Sequence, residues 1–115
     1  PLADGAPRPF RRDVAGSFSC HGQSDVGKFK ENQDRGVVCC PFNCAKHQRQ
    51  ALFIVADGHG DHGHAVSDFV VKTLVSEMKC ISYHENDFTL IRDCFTRTND
   101  KLGLPDRTFD ASTSG

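Results

Sequence analysis

The sequence predicts an α+β domain, and three observations carry that prediction. Strand-like segments crowd the first half of the chain and two helical segments fill the second. The clearest strand, Ala51 to Ala56, is a short continuous apolar run that ends at the turn Asp57-Gly58-His59-Gly60. Just beyond that turn the apolar residues switch to three- and four-residue spacing, the period of a helix face. At 115 residues the chain fits one small domain or part of a larger one, with a thin core.

Residues 1–15 hold three prolines and five charges with little apolar content, and are expected to form an extended arm that does not order itself. From Gly16 onward Phe18 and Cys20 alternate with polar neighbours, which predicts a half-buried first strand ending in the turn Gly22 to Gly27. Val37 to Cys40 reads as a second strand stopped by Pro41, followed by a polar loop from Asn43 to Gln50. The run Ala51 to Ala56 is the pattern of a third strand covered on both faces. Val66, Phe69, Val70 and Leu74 then form one stripe of a helix reaching about Lys79, which calls for a sheet beneath it. A second helix is signalled by Asn86 or Asp87 as N-cap, by Phe88, Ile91, Phe95 and Leu102 on one face, and by Gly103 and Pro105 as a stop. The tail from Asp106 to Gly115 is small and polar, and the chain contains no internal repeat.

Fourteen Lys and Arg against fifteen Asp and Glu leave a net charge of −1, which gives no general attraction to nucleic acid or to an anionic membrane. The Ala51 to Ala56 run is far shorter than the ~20 apolar residues of a membrane span, so a soluble protein is expected. No charged segment followed by an apolar one opens the chain, so a secretory signal is not expected, although the missing initiator Met leaves room for a removed upstream stretch. Six cysteines, two of them adjacent at Cys39 and Cys40, with no signal peptide predict a reducing compartment, cytoplasmic or nuclear, and mostly free thiols.

The residues that carry chemistry lie in two pieces. Asp57-Gly58-His59-Gly60 stands where a strand gives way to a helix, the end of a strand at which ligands are bound, and its glycines let the backbone turn sharply and bare its carbonyls. Upstream, Asn32-Gln33-Asp34-Arg35 leads into another strand and supplies a second carboxylate. An ordinary turn accounts for either piece alone. If the two strands are neighbours, the carboxylates meet, and a pair of hard oxygen donors points to Mg or Mn.

Taken together, Lys30-Glu-Asn-Gln-Asp34-Arg, a strand and loop, and Leu52-Phe-Ile-Val-Ala-Asp57-Gly-His-Gly-Asp-His-Gly63 before an amphipathic helix resemble the opening half of the metal-dependent Ser/Thr protein phosphatases of type 2C. The final Ser114-Gly115 resembles the start of that family's Ser-Gly-Ser-Thr-Ala strand. The resemblance therefore covers about Gly16 to the last residue, and residues 16–115 are expected to be the N-terminal portion of a catalytic domain. It implies an α-β-β-α sandwich of two antiparallel sheets flanked by helices, with two divalent cations, Mg or Mn, at one end. It also implies hydrolysis of phosphoserine or phosphothreonine in a phosphoprotein by an in-line attack of water or hydroxide bridging the two cations. By motif position Asp57 would bridge the cations, Gly58 would offer its backbone carbonyl to one, and Asp34 would hold metal-bound water. His59 would be the general acid, since an imidazole donates a proton readily near neutral pH. Many relatives carry an Arg shortly before the Asp34 position to grip the substrate phosphate. Here Lys30 takes that place, with the charge but without the bidentate fork. Gln33 stands where some relatives have a Glu. The remaining metal-binding aspartates of the family lie in its C-terminal half, so this portion alone is expected to be inactive, and the full-length protein to be a monomer.

Two other readings compete. A phosphatase-like scaffold without activity would keep the fold as a binding surface, and the presence of Asp34, Asp57 and His59 argues against it. A zinc module built from Cys39, Cys40, Cys44, His47, His59, His62 and His64 fails on spacing, because no paired Cys-x-x-Cys or His-x-x-x-His knuckle is present.

Overall fold

The computed structural model of the chain describes residues 18–23, 26–42, 50–81, 88–104, 109 and 111–112. The elements are β1 (Arg35–Phe42), β2 (Gln50–Ala56), α1 (Gly63–Lys79) and α2 (Phe88–Leu102), an α+β arrangement. The expected arm at 1–15, the loop at 43–49, the predicted caps Asn86 and Asp87, and Pro105 lie outside the described residues.

β1 and β2 pair antiparallel, with Arg35 opposite Ala56, Val37 opposite Ile54 and Cys39 opposite Leu52. Pro41 does not end β1 as predicted. It sits where the register shifts between Cys39 and Phe42, an irregularity in which a residue without an N–H is tolerated. The two-residue period of a strand then divides β2: Leu52 and Ile54 pack against the core, while Phe53 is 55% and Val55 86% exposed. The run expected to be covered on both faces is thus covered on one among the described residues. On the other face Phe18, Val38, Phe53 and Val55 line an apolar groove of about 690 Å³.

Among the described residues the predicted first strand is not found. Phe18 to His21 form no strand and Phe18 is 91% exposed, because a strand needs a ladder partner and β1 and β2 pair only with each other among the described residues. The turn that follows does close, with a single bridge between Gln23 and Phe29.

α1 places Val66, Ser67, Val71, Leu74 and Met78 inward, so the predicted stripe is right at Val66, Val70 and Leu74 and is extended by Val71 and Met78. The contacts between elements beyond the strand pair all run through α1, which meets β1, β2 and α2. Phe42, Leu74, Met78 and Cys94 form the core, with Val70, Ile81 and Ile91 packed against it. α2 turns inward a face that is only partly the one predicted: Ile91 packs against the core as expected. Cys94 and Thr98 are buried, whereas Phe88 is 73% and Phe95 54% exposed. Arg97 and Lys101 reach Glu77 on α1 at 2.6 and 2.5 Å, two ion pairs that join the helices at their exposed edge. Small Cys94 and Thr98 let the two helices approach, and the Thr98 hydroxyl is satisfied by the Cys94 carbonyl at 2.8 Å. α2 ends at Gly103, as predicted, with the Gly103 N–H shared between the Asn99 and Asp100 carbonyls at 3.1 Å each.

Among the described residues no helix is long and apolar enough to cross a membrane. The described cysteines, Cys20, Cys39, Cys40, Cys80 and Cys94, are free thiols.

Candidate functional site

The antiparallel register assembles the site. With Arg35 opposite Ala56, the residue before β1 and the residue after β2 emerge at the same end of the sheet, and these are Asp34 and Asp57. Both line a cleft of about 450 Å³ together with Lys30, Asn32, Gly58 and His59. Every residue singled out from the sequence, His59, Asp57, Gly58, Asp34 and Lys30, is therefore on the wall of one cleft. Asp34, Asp57, His59 and Lys30 are exposed and Gly58 is buried.

Local chemistry holds each wall. The Gly22 to Lys30 turn brings Lys30 in: the Lys30 N–H donates to the Gly22 carbonyl at 2.9 Å, and Gly27 takes φ +74°, where only glycine is unstrained. Among the described residues Lys30 is the only Lys or Arg lining the cleft. The Asp34 N–H donates to Asn32 Oδ1 at 3.1 Å, an Asx turn that shapes the entry to β1. Arg35 folds back, its Nη1 donating to the carbonyls of Asn32 and Asp34 at 3.0 and 2.8 Å, which keeps its charge off the cleft wall. The Gly58 N–H faces Asp34 Oδ1 at 3.4 Å, a long contact that ties one carboxylate to the loop bearing the other.

The two loops interlock at Gln33. Its side-chain Nε2 donates to the Gly60 carbonyl at 2.8 Å. Ser67 Oγ lies 2.5 Å from the Gln33 carbonyl and 3.2 Å from the His64 carbonyl; a hydroxyl has one proton to donate, and the shorter contact takes it. A Cβ on Gly58 would overlap the Gln33 carbonyl and stand 2.5 Å from the Gly63 carbonyl, and a Cβ on Gly63 would stand 2.9 Å from Gln33 Oε1. Hydrogen is the only side chain that fits at either place. His64 Nδ1 stands 3.5 Å from Glu31 Oε2 and, among the described residues, is a buried nitrogen without a hydrogen-bond partner.

Two carboxylates and a nearby peptide group are hard oxygen donors, a chemistry that fits Mg or Mn, cations that keep several waters when held by one or two carboxylates. Among the described residues no group of three or more His, Cys, Asp or Glu is gathered to enclose a metal ion. For the zinc alternative, Cys39 packs against the core, away from the cleft that holds His59, and Cys44 and His47 lie outside the described residues.

Sequence reasoning missed the interlock. Gln33 was visible only as a substitution within a motif, and Gly63 as one more glycine of the turn. Ser67 carried a signal, a lone hydroxyl inside the apolar face between Val66 and Val71, and a buried hydroxyl requires an acceptor. Compared with known protein families, with curated proteins and with solved structures, the chain finds no match in any of the three.

Proposed function

We propose that the chain is the N-terminal portion of a type 2C metal-dependent phosphatase domain that hydrolyses phosphoserine or phosphothreonine in proteins. The observation that carries this reading is the single cleft: Lys30 and Asp34 from the segment before β1, and Asp57, Gly58 and His59 from the segment after β2, line it together. Asp34, Asp57 and the Gly58 carbonyl would hold two divalent cations, Mg or Mn. Such cations, when bound, lower the pKa of water and neutralise charge building on a phosphoryl group. Lys30 contributes a positive charge for the substrate phosphate as a point charge without a fork. His59, exposed on a glycine-flanked turn, is free to approach the departing Ser or Thr oxygen and give it a proton. The α-β-β-α sandwich belongs to the same proposal, and the exposed apolar side chains of Val38 and Val55 support it, since a second sheet would bury them. A cytoplasmic or nuclear protein acting as a monomer on a phosphoprotein completes the reading.

The test is Mn-dependent hydrolysis of a phosphothreonine peptide by the complete gene product, with Asp57→Asn and His59→Ala beside the wild type. Asp57→Asn is expected to abolish metal-dependent turnover. His59→Ala is expected to lower kcat by about 10²- to 10⁴-fold, with a smaller loss on an aryl phosphate, whose leaving group needs less protonation. A wild type that folds and binds Mn without turnover would overturn the enzyme in favour of the inactive scaffold.

A further inference from the structure

We infer that Gln33 is a positioning residue of this site, holding the His59-bearing turn against the Asp34 loop through its side-chain amide, while Ser67 holds Gln33 in place. The functional meaning rests on the reading above; the mechanical claim rests on geometry alone. Gln33 precedes Asp34, and Gly60 follows His59. The 2.8 Å bond from Gln33 Nε2 to the Gly60 carbonyl therefore links the neighbour of one site residue to the neighbour of another. Gly60 has φ +80°, so the bond falls on the one residue of the turn in the left-handed region and fixes where its carbonyl points. The other end is anchored by Ser67, 2% exposed, whose hydroxyl donates to the Gln33 carbonyl at 2.5 Å. Gly58 and Gly63 leave the space in which Gln33 lies.

The amide is essential because it donates. A glutamate at this position has no hydrogen to give when ionised and would set a carboxylate against the Gly60 carbonyl oxygen. This separates two roles for position 33. If its side chain served the cations directly, Gln33→Glu would add a charge to the ligand set and tighten Mn²⁺ binding. If it positions the turn, Gln33→Glu loosens the turn and weakens Mn²⁺ binding.

The experiment compares the wild-type complete gene product with its Gln33→Glu, Gln33→Met, Ser67→Ala, Gln33→Met/Ser67→Ala and Asp57→Asn variants, by two readouts. The first is amide hydrogen exchange of residues 57–63 without metal, and the second is calorimetric titration with Mn²⁺. Loss of this one bond is expected to speed exchange across the turn about tenfold, with α2 unchanged. Mn²⁺ affinity is expected to fall severalfold in both Gln33 variants. Ser67→Ala is expected to act in the same direction and to be non-additive with Gln33→Met, since the two groups act in series; it also decides the matter should Gln33→Glu fail to fold. Unchanged exchange in the turn, or tighter Mn²⁺ binding by Gln33→Glu, would overturn the inference. Should the wild type take up no Mn²⁺ while the Gln33 variants loosen the turn, the positioning role stands and the metal reading falls. Should Asp57→Asn abolish Mn²⁺ uptake while the turn is indifferent to Gln33, the reverse holds.

Discussion

A single hydrogen atom separates Gly58 from every other residue that might occupy its place. A methyl group there would press on two backbone carbonyls, those of Gln33 and Gly63, and backbone cannot rotate away as a side-chain end can. Gly36 offers the control, because a Cβ there would meet the Ile54 carbonyl at 3.7 Å, an ordinary contact. Gly58→Ala is expected to destabilise the chain by ~1–3 kcal/mol, the usual cost of overpacking. Gly36→Ala is expected to be neutral or to stabilise by up to ~1 kcal/mol, since alanine loses less backbone freedom than glycine on folding. Urea denaturation midpoints of the two variants against the wild type measure the difference, and equal midpoints would show that the two loops are not packed as described.

At the scale of the element, α1 and α2 are joined by charge as well as by apolar contact. Glu77 is only 12% exposed at its side chain yet bonds both Lys101 and Arg97. Those hydrogen bonds, Lys101 first and Arg97 second, hold its carboxyl below its ordinary value of 4.5. The sign follows from that depression. Above the unfolded value near 4.5 the stabilisation is fully present, and it is lost as the pH falls through the lower folded value. Thermal melts between pH 6 and pH 3 are expected to show a fall in stability below about pH 4.5 that Glu77→Gln flattens; parallel curves for the two proteins would mean the contact contributes nothing. The same pair of helices shows what was legible in the sequence. α1 was readable because a helix on a sheet must present a continuous apolar stripe, and Val66 and Leu74 mark it. The face of α2 was read rightly at Ile91 and wrongly at Phe88 and Phe95, because those two outweigh Cys94 and Thr98 in hydrophobicity, while the burial of those small residues depends on how closely another helix approaches. Likewise Pro41 signalled the end of a strand, and only the register of its partner could show that a shift absorbs it.

For the molecule as a whole, the composition of the cleft was legible and its assembly was conditional. Asp34 and Asp57 meet only if β1 and β2 are antiparallel neighbours in one register, a long-range fact that no local pattern contains. The interlock of Gln33 with Gly58, Gly60 and Ser67 was not legible at all, because it depends on how two loops pack. The outer face of the sheet raises the remaining question at this scale. Val38, Phe53 and Val55 stand 49%, 55% and 86% exposed on one side of a two-stranded sheet, and exposed apolar surface of this kind marks an interface. Under the proposed sandwich, the second sheet comes from the part of the gene product carrying the further aspartates that the resemblance implies. The 115-residue chain is then expected to bind an apolar fluorescent dye, and Phe53→Ser with Val55→Thr to lower that binding at a small cost in stability, since Val55 is 86% and Phe53 55% exposed. In the complete gene product the same pair is expected to cost ~3 kcal/mol or more, because each buried apolar side chain contributes ~1.5–3 kcal/mol. Dye binding by the wild-type complete protein is expected to vanish. If it persists undiminished, or if the double substitution is as mild there as in the chain alone, the face is not an inner face of a sandwich and the proposed fold fails with it.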